Sequence, residues 1–228
     1  MEEVSLVNIR LTWDEGGDTL SFRTVQSSIR VDGNDNSGKE AVLAVLVNGE
    51  ESSVKEATMS GLTEGVLRTK KFVDEKQKIC VNVHFHCSQA ASSDGRDTVW
   101  EQNMALGNNK LIMVVKDDEQ VDLEAMIRCY KRPPYDLTAD DIIFISLIPF
   151  PDELDAESEG VYEQVHSRAS KVKDLLEEMS LNSIKGYFRL CSQLKQDVPK
   201  FAEAISFLLA ENQKSFAKGK KNPKCTIC

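Results

Sequence analysis

Polar and apolar residues alternate along the first two thirds of the chain, up to about Pro149. A period of two is typical of half-buried β-strands, and it is clearest in segments 19–26 and 78–87. A short apolar run closed by Asn-Gly, residues 40–49, is interpreted as a buried strand. Segment 110–130 is interpreted as two strands around an acidic turn, and segment 141–150 as a last strand. Together these strands predict an antiparallel β-sandwich over residues 1–150.

The apolar spacing changes after an acidic, proline-punctuated stretch, which is interpreted as a linker over residues 151–160. Apolar residues then recur three and four positions apart, as in amphipathic helices. The pattern predicts a helical region over residues 161–216 with three short amphipathic helices: one over 161–179, one over 184–194 and a last helix that has Pro199 in its first turn. The predicted fold class is therefore mainly β with C-terminal helices: an antiparallel β-sandwich followed by a short α-helical region, and then a polybasic tail over 217–228.

The charge is unevenly distributed along the chain. The 228 residues include 28 basic and 37 acidic side chains, a formal net charge of −9. Residues 214–228 hold five lysines and no acid, which leaves −14 on the rest. An acidic body is expected to avoid nucleic acid. The sequence has no apolar stretch of about 18 residues and no signal-peptide pattern at its start, so we expect synthesis in the cytosol.

The last four residues of the sequence, Cys225-Thr226-Ile227-Cys228, fit the C-a-a-X pattern for prenylation. The pattern predicts a lipid on Cys225, with Thr226, Ile227 and Cys228 removed by processing. Farnesyl is favoured, because Leu or Phe would be expected at the last position for geranylgeranyl. The alternatives are a cysteine placed there by accident and half of a zinc site. A zinc site needs two further ligands, which the lysine-rich tail does not supply.

A single isoprenoid binds a bilayer only marginally, so a second membrane signal is expected beside the lipid. The tail lysines can supply it on an anionic surface, at roughly 1 kcal/mol each. These are Lys214, Lys218, Lys220, Lys221 and Lys224. The expected location is therefore the cytoplasmic face of a membrane, as a peripheral, lipid-anchored protein with a cytosolic pool. The expected partners are the anionic cytoplasmic leaflet and a prenyltransferase; a further protein partner is not indicated.

The body of the chain lacks three common enzyme signatures, which are G-x-S-x-G, a P-loop and the Rossmann glycine pattern. No enzyme activity, cofactor or metal is therefore predicted. The best metal candidates are His84, His86 and Cys87, but solvent-facing histidines on a half-buried strand are the favoured interpretation. Cys80, Cys129 and Cys191 lie among apolar neighbours and are predicted to be buried, reduced thiols.

Three segments of the body resemble a known family. Residues 64–85, 95–106 and 123–130 are similar to successive strands of family 21 carbohydrate-binding modules, found in glycogen-targeting subunits of protein phosphatase 1. The similar features are Glu75-Lys76, Asp97-Thr98 and Cys129-Tyr130. The resemblance implies a β-sandwich and a carbohydrate-binding or phosphatase-targeting function. That function is the alternative to the leading hypothesis, a non-enzymatic, membrane-tethered adaptor or regulatory binding protein.

Overall fold

Seven β-strands form one mixed sheet in the part of the chain that the structure, a computed structural model, describes. The described residues are 12–13, 23–34, 36–48, 66–74, 79–87, 109–133, 135–172, 175 and 184–209. The strands are β1 (Thr12–Trp13), β2 (Arg23–Gly33), β3 (Val66–Asp74), β4 (Ile79–Cys87), β5 (Asn109–Lys116), β6 (Ile142–Leu147) and β7 (Gly186–Leu190). Their order in the sheet is β1-β3-β4-β2-β5-β6-β7.

Most neighbouring strands of this sheet are parallel. The pairs β4/β2, β2/β5, β5/β6 and β6/β7 are parallel, whereas β1/β3 and β3/β4 are antiparallel. Parallel neighbours need long crossover connections, which usually contain helices. The predicted antiparallel β-sandwich is therefore wrong: the fold is a mixed α/β sheet with interspersed helices. The sandwich implied by the resemblance to carbohydrate-binding modules is wrong for the same reason.

The first helix, α1 (Lys39–Asn48), occupies a segment that was predicted to be a strand. Its residues from Val42 to Leu46 are all buried, so an apolar run could not distinguish a strand from a buried helix. These side chains share a core cluster with Ile29 and Val31 of β2 and with Phe201 and Ile205 further along the chain. A helix that is apolar on most sides is buried from several directions, and α1 is an example.

Three more helices are described: α2 (Leu123–Arg128), α3 (Val161–His166) and α4 (Val198–Leu209). α2 lies where a strand was predicted, and its first turn is capped by Asp122, whose carboxylate accepts a hydrogen bond from the Ala125 N–H at 2.9 Å. α4 confirms the predicted last helix with Pro199 in its first turn. α3 follows the proline-punctuated stretch and begins at Val161, as the change of period predicted.

The strand β7 replaces the helix that was predicted over residues 184–194. Phe188 and Leu190 pack with the cluster that contains α1 and α4, whereas Tyr187 packs on the opposite face with the cluster that contains α2. This alternation is the period of a strand, and β7 completes a parallel pair with β6. The described part of residues 161–216 therefore contributes to the sheet, and the predicted domain bounds stay predictions.

The helices cover both faces of the sheet. α1 and α4 pack on one face with β2, β4, β5 and β6, and α2 packs on the other face with β5 and β6. Among the described helices, none is both long and apolar enough to cross a bilayer. Cys80 and Cys191 are buried free thiols, as predicted. Cys129 is exposed because it lies at the carboxyl end of α2, so its predicted burial is wrong.

Candidate functional site

The connection between β2 and α1 lies at the carboxyl end of the central strand. β2 pairs in parallel with β4 on one side and with β5 on the other. In chain order, β2 is followed by α1, β3 and β4, and β4 lies beside β2 on one side. β5 comes later in the chain and lies beside β2 on the other side. In open α/β sheets such a reversal of strand order leaves a crevice outside the carboxyl ends of the strands, where ligands bind. The described residues of this connection, 33–34 and 36–39, which we call the β2–α1 loop, are therefore the candidate site.

Two glycines let the β2–α1 loop pack closely against the sheet. A Cβ on Gly33 would lie 2.3 Å from the carbonyl oxygen of Val114 and 2.4 Å from Ser37 Oγ. Gly38 has a φ of +83°, and a Cβ there would lie 2.4 Å from Leu147 Cδ2. A neighbouring strand's carbonyl cannot move aside without disturbing the sheet, and a positive φ is unfavourable for side chains with a Cβ. Both positions therefore favour glycine.

The side chain of Lys39 folds back across the loop. Lys39 begins α1 and is only 3% exposed, and its Nζ donates a hydrogen bond to the carbonyl oxygen of Gly33 at 3.2 Å. The lysine thus connects the first and last residues of the loop. A buried ammonium is costly unless it is paired, and the Gly33 carbonyl and the nearby ionised Asp32, which is also paired with Arg30, compensate its charge only in part. An anion in the loop would complete the compensation.

The hydroxyl of Ser37 is buried in the same loop. Ser37 is 1% exposed, and its backbone N–H donates to the carbonyl oxygen of Asn34 at 3.0 Å. Within the described residues, Ser37 Oγ has no hydrogen-bond partner, and it points across the loop towards Gly33. Most buried polar atoms in proteins are hydrogen-bonded, and each exception requires an explanation. A ligand oxygen in the loop would provide the missing partner.

The loop sequence is Gly33-Asn34-Asp35-Asn36-Ser37-Gly38-Lys39, followed by Glu40. It matches the G-x-x-x-x-G-K-[ST] phosphate-binding loop at both glycines and the lysine, and it departs from the motif at Glu40. The structure also supplies the context that the motif requires, a strand before the loop and a helix after it. The sequence interpretation missed this site because it took residues 40–49 as a strand. The spacing of the glycines and the lysine is the signal that could have found it.

The residue type at position 40 bears on whether the loop can bind a magnesium ion as the motif does. In the phosphate-binding motif, a Ser or Thr hydroxyl at this position binds Mg²⁺ beside the phosphates. Glu40 instead places a longer, charged carboxylate in the first turn of α1. Within the described ranges, no group of three or more His, Cys, Asp or Glu side chains could hold a metal. The loop therefore lacks the hydroxyl that binds Mg²⁺ in the motif and has a carboxylate in its place.

Asp32 adds a negative charge directly before the loop. Its carboxylate accepts hydrogen bonds from Arg30 Nε at 3.2 Å, from the Gly33 N–H at 2.7 Å and from the Tyr130 hydroxyl. Burial raises the pKa of Asp32, but Arg30, these hydrogen bonds and Lys39 together outweigh burial and lower the pKa below its ordinary value. Asp32 is therefore an ionised carboxylate at neutral pH.

A second buried acid, Asp117, lies after β5 and organises the neighbouring strand ends. Its Oδ1 accepts hydrogen bonds from Ser146 Oγ at 2.6 Å and Ser170 Oγ at 2.7 Å. Its Oδ2 pairs with the guanidinium of Arg189, whose Nε lies at 2.8 Å and whose terminal nitrogen lies at 2.6 Å. Arg189 also donates to the backbone carbonyls of His166 and Arg168, each at 2.7 Å. These bonds use the acceptor capacity of Asp117, which indicates a structural role.

A third buried acid, Asp197, holds the segment that follows β7. It is fully buried, and Oδ2 accepts a hydrogen bond from the Cys191 N–H at 2.8 Å and lies 2.8 Å from His166 Nε2. Its Oδ1 accepts a hydrogen bond from Lys200 Nζ at 2.9 Å. An apolar cluster lies in the same region and includes Ile148, Val161, Val165, Cys191 and Leu194. The polar contacts of this region stabilise the fold and leave the β2–α1 loop as the candidate site.

Within the described residues, the histidines that the sequence singled out are not part of this site. The Nε2 atom of His84 lies 2.9 Å from Gln26 Oε1. His86 is fully buried, so the prediction that it faces solvent is wrong. Cys87 ends β4, and its side chain lies outside the described part of the structure. The same holds for the whole predicted anchor: Lys214, Lys218, Lys220, Lys221, Lys224, Cys225, Thr226, Ile227 and Cys228.

Comparison with known proteins provides no family for this chain. No family model matches it, and no curated protein matches it. Among solved structures, it is similar to the crystal structure of a bacterial selenocysteine-specific elongation factor, EF-Sec, with 13% identity and a TM-score of 0.46. The match covers 82% of this chain and 29% of that chain. A likeness at this level carries no argument about function or partners.

Proposed function

We propose that this chain is a non-enzymatic regulatory binding protein that is tethered to the cytoplasmic face of a membrane. Its α/β domain binds the phosphate group of a small ligand through the β2–α1 loop, and a prenyl group on Cys225 supplies the tether. The observation that carries the binding proposal is the loop itself. Gly33, Gly38 and the buried Lys39 have the spacing and the strand–loop–helix context of a phosphate-binding loop.

Phosphate binding is supported by the hydrogen-bond donors that converge on the loop. The first N–H groups of a helix have no partner inside the helix, and the helix dipole makes this end positive. A helix N-terminus is therefore a ready anion site. In α1 this end is combined with the Lys39 ammonium and the buried Ser37 hydroxyl. Phosphate oxygens are the ligand atoms that use all three kinds of donor.

The absence of hydrolysis is proposed because of the charges around the loop. Phosphoryl transfer in P-loop proteins depends on a metal ion held by the motif's hydroxyl and by a separate acid. This chain has Glu40 at the hydroxyl position, and the ionised Asp32 adjoins the loop. Asp117 is occupied by Ser146, Ser170 and Arg189. The domain would therefore hold a ligand and would act by binding.

The membrane tether is proposed from the tail sequence. Cys225-Thr226-Ile227-Cys228 fits a prenylation signal where Cys228 is the carboxyl terminus, and five lysines precede it. The lipid would supply reversible affinity, and the lysines would add about 1 kcal/mol each at an anionic leaflet. The acidic body, with a net charge of −14 outside residues 214–228, would be repelled by the same leaflet. The tail would thus hold the domain close to the membrane without docking it on the surface.

Ligand binding can be tested by isothermal titration of the full-length protein with ATP, GTP, AMP, GMP and inorganic phosphate, each in EDTA and in excess Mg²⁺. We expect at least one of these ligands to bind, and we expect Lys39→Ala to weaken binding by at least tenfold. Lys195→Ala is the matched control, because Lys195 is exposed and pairs only with Glu157 among the described residues. Binding that survives Lys39→Ala, or no binding of any ligand, would contradict the proposal.

The tether can be tested by intact-mass measurement on the protein isolated from eukaryotic cells. We expect a mass that lacks Thr226, Ile227 and Cys228 and includes a prenyl group on Cys225. Cys225→Ser should move the protein wholly to the soluble fraction. Replacing Lys218, Lys220, Lys221 and Lys224 with glutamine should keep the lipid but weaken partition, most visibly at low salt. An unmodified mass that retains Cys228 would refute the anchor and leave the binding domain unaffected.

A further inference from the structure

We infer that the β2–α1 loop selects a single phosphate group that carries no divalent cation, such as inorganic phosphate or a phosphate monoester, over a metal-bound triphosphate. This inference rests on the proposed function and assigns its ligand class. It follows from Glu40, from Asp32 and from the limited number of donors in the loop. Glu40 and Asp32 would then act as specificity-determining residues.

Glu40 opposes the binding of highly charged ligands. It lies in the first turn of α1, directly after Lys39, and is half-buried. An acid in this turn interacts favourably with the helix dipole, so its negative charge cancels part of the positive potential that would otherwise attract phosphate. The Glu40 carboxylate also extends two atoms beyond the reach of a Ser hydroxyl from the same backbone position. It would occupy space that a metal-bridged polyphosphate needs.

The charges next to the loop have the same effect. Asp32 and Glu40 are acidic, whereas Lys39 and Arg30, which pairs with Asp32 at 3.2 Å, are basic, so these four side chains supply no net positive charge to balance a polyanion. Asp32 stays ionised because Arg30, Tyr130 and the Gly33 N–H stabilise its carboxylate. At the short separations inside a loop, each additional negative charge on a ligand is expected to weaken binding by about tenfold. A dianion therefore suits this loop better than a triphosphate.

The donors in the loop match one phosphate group. The Gly33 N–H is used by Asp32, and the Ser37 N–H is used by the carbonyl of Asn34. The first N–H groups of α1, the Lys39 ammonium and the Ser37 hydroxyl remain as donors directed at the loop. The Ser37 hydroxyl is independent of the helix end, since it is 1% exposed and has no partner among the described residues. A tetrahedral phosphate has enough oxygens to accept from all of these groups.

The competing possibility is that Glu40 itself binds Mg²⁺, since carboxylates are common magnesium ligands. Repulsion by Glu40 and metal binding by Glu40 predict different effects of Mg²⁺ on the affinity for a polyphosphate. If Glu40 repels polyanions, Mg²⁺ brings no gain for the wild-type protein. If Glu40 binds the metal, Mg²⁺ strengthens the binding of a polyphosphate, and neutralising Glu40 removes that gain.

The test is calorimetric titration of the full-length protein with inorganic phosphate and with inorganic tripolyphosphate, each in EDTA and in excess Mg²⁺. These probes carry no base, so they report on the loop alone. The variants are Glu40→Gln, which removes the charge, and Glu40→Thr, which restores the hydroxyl of the motif. Glu124→Gln is the matched control, because Glu124 is an exposed acid in the first turn of α2.

For the wild-type protein and Glu124→Gln, we expect inorganic phosphate to bind equally with and without Mg²⁺, and more tightly than tripolyphosphate. Glu40→Gln should strengthen tripolyphosphate binding by about tenfold without Mg²⁺, and Glu40→Thr should make it Mg²⁺-dependent. Tighter binding of Mg²⁺-tripolyphosphate to the wild type, lost in Glu40→Gln, would overturn the inference and leave phosphate binding intact. No binding of either probe to any variant would overturn both the inference and the proposed function.

Discussion

Replacing Asp117 with alanine is the most informative test of the packing at the carboxyl end of the sheet. Asp117 is 2% exposed and accepts hydrogen bonds from Ser146, Ser170 and Arg189. Its ion pair with Arg189 joins the end of β5 to β7. The variant would remove the acceptor of all these bonds and leave the guanidinium without its counter-ion. Arg189 would keep only its two bonds to backbone carbonyls.

The expected cost follows from the burial of this ion pair. Removing one partner of a buried ion pair costs about 3–5 kcal/mol, because the other charge stays buried without compensation. The side chain of Arg189 is 18% exposed, so water can solvate part of it, and we expect a value near the lower end, about 3 kcal/mol. For a chain of this length, each kcal/mol lowers Tm by about 2–4 °C, so the expected decrease is roughly 6–12 °C.

The assay is chemical and thermal unfolding at neutral pH, followed by circular dichroism. Asp118→Ala is the matched control, because Asp118 is the adjacent residue and is exposed, and its replacement should change the free energy of unfolding by less than about 0.5 kcal/mol. The double variant Asp117→Ala/Arg189→Leu should be less destabilised than the sum of the single variants, since no uncompensated charge remains. A cost below about 1 kcal/mol for Asp117→Ala would refute the role of the pair.

Three other predictions follow from single sites. Gly33→Ala should destabilise the protein by at least about 2 kcal/mol, because its Cβ would lie 2.3 Å from a β5 carbonyl oxygen. At Gly160 only the positive φ of +76° opposes a Cβ, since no atom lies within 4 Å, so Gly160→Ala should cost only about 1 kcal/mol; equal costs in the same unfolding assay would contradict this. Burial raises the pKa of Asp141, but hydrogen bonds from Lys110 and Thr138 lower the pKa by a larger amount, so the folded pKa is below the ordinary value. The stabilising contribution of Asp141 is therefore present above the unfolded pKa of about 3.9 and is lost as pH falls through the folded pKa. Asp141→Asn should therefore be less stable than the wild type at pH 7 and should converge with it in acid, and a pH-independent difference in unfolding free energy would be evidence against the ion pair with Lys110. Native-state alkylation followed by peptide mass spectrometry should label Cys129 before Cys80 and Cys191, and labelling should accelerate at alkaline pH because burial and Asp32 raise the pKa of Cys129.

The sequence predicted individual strands better than their arrangement. Segment 78–87 is β4, and Val81, Val83 and Phe85 share one buried face, as the alternation predicted. Segment 141–150 contains β6. The arrangement could not be read from alternation, because a strand covered by helices on both faces and a strand in a sandwich are both rich in apolar residues. β6 is buried at every position, which is the pattern of a covered parallel strand.

The two main errors in secondary structure, at α1 and at β7, have different causes. In α1, Val42–Leu46 face both the sheet and α4, so the helix lacks a polar stripe. At β7, Ile184 and Phe188 lie four positions apart, as do Leu190 and Leu194, so the short strand and its flanking residues imitate a helical spacing. Misreading α1 also concealed the candidate site, because a glycine-rich loop followed by a strand does not satisfy the context of a phosphate-binding loop.

The most direct test of phosphate binding at the β2–α1 loop is a titration of the ¹⁵N-labelled full-length protein with inorganic phosphate, followed by amide NMR shifts. We expect the largest shifts at Ser37, Gly38, Lys39 and Glu40, at the loop and the start of α1, and we expect them to be lost in Lys39→Ala and kept in Lys195→Ala. Shifts that are largest elsewhere on the domain, or no shifts at millimolar phosphate, would contradict the assignment of this loop as the binding site.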